Sequence, residues 1–292
     1  MFDVSVDNMT NDYDYRVIPN ATLSFGSHPR YLMEEKLATT VFVPVVYITL
    51  EAIRESRGKE GILASRIVER VKNMVSYNEI PNVEGLQLDC DWTPSTRKSF
   101  FALCDSVKAQ FGRYNLPWNL SSTIRLHQLS SSPPPVDYGV LMVYNTGKFN
   151  DPDEPNSIIS EKNVAPYLRH LASYPLHLDI AYPTYSWQLL FRDRTFVGLM
   201  NGVDLSDEEC FTKKDNSVYI AKKTVPYNNT LIYKGDMIRQ ENSSIDDIRS
   251  IQDKIEQILG SEPHSNILYH FDLNNFSTYT NGQIYSILNR RD

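Results

Sequence analysis

The sequence predicts an α/β fold: a (β/α)8 TIM barrel lacking its first strand, with a β-rich insertion before its last. Three observations predict it. Short apolar or alternating runs recur along the chain with helix-period segments between them, the order expected of parallel strands with crossover helices. One strand ends in carboxylates and is followed at once by a helix start, the arrangement found at the C-terminal face of barrel strands. No Gly-rich phosphate turn follows the first strand, as a doubly wound nucleotide-binding sheet would require.

Taken in order, the chain opens with Phe2, Val4 and Val6 alternating with Asp3, Ser5 and Asp7, so it begins inside a strand. Residues 41–48 form a buried strand, and Leu63, Ile67, Val71 and Met74 mark the apolar stripe of the next helix. In residues 83–94, Leu86, Leu88 and Cys90 fall on one face of a strand and Gln87, Asp89 and Asp91 on the other. Thr93 is placed to cap a helix with Pro94 at its first position, and Phe100, Cys104, Val107 and Phe111 give that helix its stripe. Residues 122–127 read as a strand, residues 130–135 as a Ser/Pro loop and residues 140–145 as another strand. Ile158, Val164, Leu168 and Leu171 then mark a helix, and residues 176–181 a further strand. Ile245, Ile248, Ile251, Ile255 and Ile258 define a helix capped by Ser243 or Ser244 and stopped by Gly260. Residues 267–272 are the last strand. Seven strands are counted where a closed barrel has eight, so the opening segment is expected to be the second strand of the pattern, with an open edge beside it. The domain reading is one barrel over residues 1–292, with residues 193–242 as an insertion of short extended pieces.

Composition narrows the partners. With 36 acidic against 29 basic residues the net charge is −7, which argues against nucleic acid as a partner, and no Lys/Arg run offsets it. No segment is apolar and long enough for a transmembrane segment, and the start has no signal peptide pattern. The three cysteines, Cys90, Cys104 and Cys210, lack metal-ligand spacing, and Cys90 and Cys104 read as small buried hydrophobes.

The polar strand faces carry the functional signal. They hold Asp3, then Gln87, Asp89 and Asp91, then Arg125 and His127, Met142 and Tyr144, His177 and Asp179, and finally His270 and Asp272. Barrel interiors are ordinarily packed with branched apolar residues, so polar groups there are costly without a partner or ligand. The His and Asp residues come one or two per strand with no His-x-His or His-Glu-x-x-His pair, so no metal and no cofactor is expected. A serine hydrolase is disfavoured because no Gly-x-Ser-x-Gly turn occurs. Trp92, Tyr182, Tyr185 and Trp187, near strand ends, could stack on sugar rings or pack in the core.

Residues 84–92 resemble the fourth-strand signature of family 18 chitinases, a row of acids at alternate positions ending in a catalytic Glu. Met142-Val143-Tyr144-Asn145 is similar to their sixth-strand Met-x-Tyr-Asp motif. More of the chain, including residues 88–93, 122–128, 134–137, 141–145 and 178–181, resembles an uncharacterised bacterial family of predicted lipoproteins, a domain of unknown function described as glycoside-hydrolase-like. The resemblance implies a chitinase-like barrel and a cell-envelope location, periplasmic or lipid-anchored at the surface. It also marks departures: Asp91 stands where the chitinase acid is Glu, Gln87 replaces an acid, and Asn145 replaces an Asp. These departures argue against substrate-assisted hydrolysis of N-acetyl sugars. The expectation is a glycoside hydrolase acting on an envelope or dietary polysaccharide, with carbohydrate as its partner. Asp91 is the general acid, Asp89 raises its pKa by like-charge repulsion, and Tyr144 hydrogen-bonds at the reacting centre. Gln87, Arg125, His127, Asn145, Asp179, Asp272, Trp92 and Trp187 are the substrate-binding candidates. The alternative is a non-catalytic carbohydrate-binding or surface structural protein on the same barrel.

Overall fold

The computed structural model describes residues 2–6, 17–19, 39–228 and 230–289. The chain divides into two compact units, one comprising Met1–Leu141 with Tyr174–Leu178, the other Met142–Ser173 with Asp179–Asp292. The fold is α/β and TIM-barrel-like, with parallel strands alternating with helices and an additional antiparallel sheet.

The first unit contains β1 (Phe2–Val6), β2 (Val17–Pro19), β3 (Val45–Ile48), α1 (Leu50–Glu55), α2 (Glu60–Tyr77), β4 (Gly85–Asp89), α3 (Arg97–Arg113), β5 (Asn119–Arg125) and most of β6 (Tyr138–Met142). Its strands run in the order β6-β5-β4-β3-β1-β2. The β1–β3, β3–β4 and β4–β5 pairs are parallel. The expected open edge at β1 is taken by β2, which pairs antiparallel through Val4–Pro19 and Val6–Val17. Three residues so far along the chain show no alternation long enough to reveal such a strand.

Leu86, Leu88 and Cys90 are buried in one core with Leu63, Ile67 and Val71 of α2 and Phe100, Leu103, Cys104 and Val107 of α3. Gln87 and Asp89 therefore lie on the other face, as the alternation of β4 predicts. The helix after β4 starts later than expected. Thr96 is its N-cap, and the Thr93 backbone N–H donates to Thr96 Oγ1 at 2.9 Å, so residues 93–96 form a turn ahead of the helix.

Strand separation sets one testable constraint. Gly85 faces Asn119 across β4 and β5, and a Cβ at Gly85 would lie 2.7 Å from the Asn119 carbonyl oxygen. Backbone cannot rotate away as a side chain can. Gly85→Ala is expected to destabilise by about 1–3 kcal/mol, the usual cost of overpacking. A urea-denaturation midpoint equal to that of the unsubstituted protein would show that the two strands yield instead.

The second unit contains α4 (Glu161–Leu168), β7 (Leu178–Pro183) apart from its first residue, β8 (Ser186–Arg192), β9 (Thr195–Met200), β10 (Phe211–Lys213), β11 (Val218–Ala221), β12 (Val225–Tyr227), β13 (Thr230–Ile232), β14 (Met237–Asn242), α5 (Ile245–Leu259), β15 (Asn266–Tyr269), α6 (Leu273–Phe276) and α7 (Asn281–Leu288). β7 and β15 pair in parallel. The antiparallel sheet has the order β10-β11-β14-β8-β9, and Leu190, Met200, Phe211, Ala221, Ile232 and Ile238 form its core. α5 follows its sequence signals closely: Ser244 Oγ accepts from the Asp247 N–H, Ile248, Ile251 and Ile255 are buried, and Gly260 ends it at φ 60°. Among the described residues no helix is long and apolar enough to cross a membrane.

Candidate functional site

In the first unit, the polar face of β4 is matched residue by residue by β5 and the turn that follows it. Ser121 Oγ donates to Gln87 Oε1 at 3.4 Å. Asp89 Oδ1 accepts from Thr123 Oγ1 at 2.7 Å and from Arg125 Nη2 at 2.8 Å, while Arg125 Nη1 donates to Thr123 Oγ1. Asp91 lies beyond the strand end, its Oδ1 3.4 Å from His127 Nε2, and both side chains are 52% exposed. Parallel register brings these groups together, since Gln87 faces Ser121 and Leu88 faces Ser122.

His127 is not on the strand, as the sequence suggested, but on a 3-10 turn (Leu126–Ser130) that begins where β5 ends. Buried Gln128 fixes that turn. Its Oε1 accepts from the Arg125 backbone N–H and its Nε2 donates to the Trp92 carbonyl at 3.0 Å. Trp92 itself is buried in the core, edge-on to Phe101 at 5.4 Å, so it presents no face for a sugar. Aromatic bulk beside a strand end can satisfy either packing or stacking, and the sequence does not separate the two.

The expected repulsion between Asp89 and Asp91 is also altered, because Arg125 already compensates the Asp89 carboxylate. Tyr47 joins this cluster. It pairs in register with Asp89, and its phenol is pushed above its ordinary value, first by burial and then by the Asp89 charge. Its opposite parity to buried Val46 and Ile48 is the sequence signal that would have found it.

Cys90 faces the core behind this row. Burial pushes its thiol up to about 12. A raised thiol stabilises the folded state at pH values below the unfolded thiol's value of about 8.5, and that contribution falls as pH rises from there toward the folded value. Cys104, also buried, is raised too, mainly by burial, and partly exposed Cys210 is raised chiefly by its hydrogen bond to Asp207. The expected outcome of thiol titration with a chromogenic disulfide at pH 8 is reaction of Cys210 alone in the native protein, slowed by the neighbouring Asp207, with Cys90 and Cys104 reacting only after denaturation. Rapid labelling of all three thiols in the native protein would contradict it.

The second unit holds an aromatic cluster. Tyr144 stacks on Tyr269 with ring centroids 4.3 Å apart, and Tyr185 meets Tyr269, Trp187 and His270 at 5.9, 5.5 and 6.0 Å. Tyr185 Oη donates to Asn145 Oδ1 at 2.6 Å, and Asn145 adopts the left-handed conformation at φ 52°. Burial, then the neighbouring Tyr269 and Glu241, pushes the Tyr185 phenol up. Tyr269 is 40% exposed and Trp187 is half-buried. Trp187 Nε1 donates to Glu241 Oε2 at 2.6 Å, as does Ser157 Oγ, and Arg239 Nε donates to Glu241 Oε1 at 2.6 Å. Arg239 also reaches the Asp151 and Phe149 carbonyls, tying that loop to β14.

Two candidates serve other purposes. Asp179 lies near the N-terminal end of β7, away from the end where barrel chemistry sits, and accepts from the Ser265 N–H at 2.7 Å. Asp272 follows β15 and accepts from the Asn275 N–H at 3.1 Å, capping α6. Among the described residues no three His, Cys, Asp or Glu side chains converge on a metal position.

No family model matches the sequence. No curated protein matches it either. Solved structures do. A chitinase from Chromobacterium violaceum matches with a TM-score of 0.50 at 11% identity, covering 88% of this chain and 85% of that one. A glycoside hydrolase family 18 N-acetylglucosaminidase from Paenibacillus barengoltzii matches with a TM-score of 0.46 at 13% identity, covering 80% and 79%. At such identity the Chromobacterium chitinase speaks to the fold alone, and that fold is chitinase-like.

Proposed function

We propose that this chain is a glycoside hydrolase in which Asp91 gives a proton to the glycosidic oxygen. The observation that carries the reading is the row along β4, which runs from Gln87 through Asp89 to a carboxylate standing half-exposed past the strand end. Exposed chemistry at that position, backed by fixed polar neighbours, is what a barrel site requires. Asp89 and Arg125 form the fixed polar wall behind Asp91. In the second unit, taken by itself, exposed Tyr269 and half-buried Trp187 are assigned to carbohydrate contact, with Tyr144 and Tyr185 buried in the same cluster and Asn145 a polar contact held by Tyr185. The substrate class is an envelope or dietary polysaccharide, and the location is the cell envelope. One barrel over residues 1–292, with residues 193–242 inserted, is part of the same proposal.

A second reading, binding without turnover, is favoured by one observation. Asp89 is engaged by Arg125 and Thr123 and position 87 is an amide, so the row cannot pass a proton along itself. Incubation with chito-, xylo-, cello- and manno-hexaoses, followed by product chromatography and calorimetric binding, separates the two. Shortened products from one of them support the hydrolase; binding without products supports the second reading, and neither binding nor products removes both.

A further inference from the structure

We infer that His127 supplies the proton that Asp91 hands on, so that the acid is a two-residue pair; the inference rests on the hydrolase reading above. A general acid that turns over must recover its proton after each transfer, and a side chain held beside it can return one. Asp89, two residues back, is occupied by Arg125 and Thr123. The group beside Asp91 is the His127 imidazole, 3.4 Å away.

That proximity is built rather than incidental. Gln128, next to His127, bonds the Trp92 carbonyl, next to Asp91, and its own oxygen takes the Arg125 N–H. One buried amide thus fixes both backbone segments that carry the pair. Among the described residues, the other charged or titratable groups around it include Asp89 at the end of β4 and Cys90 just after it, Arg125 on β5 and Tyr47 on β3, whose phenol feels Asp89, Arg125 and Asp91. Of all these groups the His127 imidazole is the one held 3.4 Å from the Asp91 carboxylate with a ring nitrogen that can donate to it.

The step balances. The C1–O bond breaks as the leaving oxygen takes the Asp91 carboxyl proton; the carboxylate so formed takes the Nε2 proton of the His127 imidazolium, which becomes a neutral imidazole. The water that attacks C1 releases a proton, which returns to that imidazole.

The test uses the full chain and two glycosides of whichever sugar the hexaose panel identifies, one with a methyl leaving group and one with a dinitrophenyl group that departs without protonation. Asp91→Asn and His127→Asn should each lose about a hundredfold or more in kcat on the methyl glycoside and be close to unsubstituted on the dinitrophenyl glycoside. The double variant should be no worse than either single one, as for residues acting as a unit. Asp91→Asn impaired with His127→Asn unaffected overturns the inference and leaves the hydrolase reading. Equal loss on both leaving groups in His127→Asn also overturns it, since that marks a structural role. Full activity of Asp91→Asn, or no hydrolysis by the unsubstituted chain, removes the reading on which it rests.

Discussion

Asp91→Asn should abolish hydrolysis of the natural glycan while leaving its binding constant within about twofold, because the amide keeps the shape of the carboxylate but has no proton to give. General acid catalysis contributes about 10²–10⁴-fold, and the whole of that is at stake in one atom. The substitution is also structurally mild. Asp91 is half-exposed and lies 3.4 Å from the equally exposed His127, a surface pair of the kind worth about 0–1 kcal/mol. Loss of turnover with an unchanged denaturation midpoint would therefore report chemistry. Turnover at the unsubstituted rate would move the acid to another residue.

Glu241→Ala should be the most destabilising single change in the second unit, by about 3–5 kcal/mol, because it leaves the buried Arg239 guanidinium without its counter-charge. It also strips a carboxylate partner from Trp187 and Ser157. The asymmetry of buried ion pairs gives a companion expectation. Removing both charges together, as Arg239→Met with Glu241→Leu, should recover much of the loss, since well-packed apolar groups replace a pair that was costly to desolvate. Urea denaturation of the three proteins checks this, and a single variant as stable as the unsubstituted chain would show that solvent reaches Arg239. The aromatic cluster should respond too. Without Glu241 the Trp187 indole loses its fixed acceptor, and its emission should shift to longer wavelength as water replaces the carboxylate.

Much of this molecule was legible residue by residue. The alternation at 86–91, the stripes of α2 and α3 and the isoleucine face of α5 with its Ser244 and Gly260 ends depend on local periodicity and capping, which neighbouring residues encode. Burial of Leu86, Leu88 and Cys90 against the helices follows from the same parity. Other features needed partners far along the chain. Whether Trp92 stacks on sugar or fills the core turns on Phe101 and the helix packed beneath it. Whether Asp89 repels Asp91 or is neutralised turns on Arg125, 36 residues away, reached only through the β4–β5 register. The role of Glu241 was invisible because Arg239, Trp187 and Ser157 meet it from separate segments. The sequence by itself determined the longer helices and the two faces of β4, because helix and strand periods are properties of adjacent residues. Only tertiary structure decided which charges are spent and which stand open, because hydrogen bonds and ion pairs act over a few ångströms of space whatever the separation along the chain.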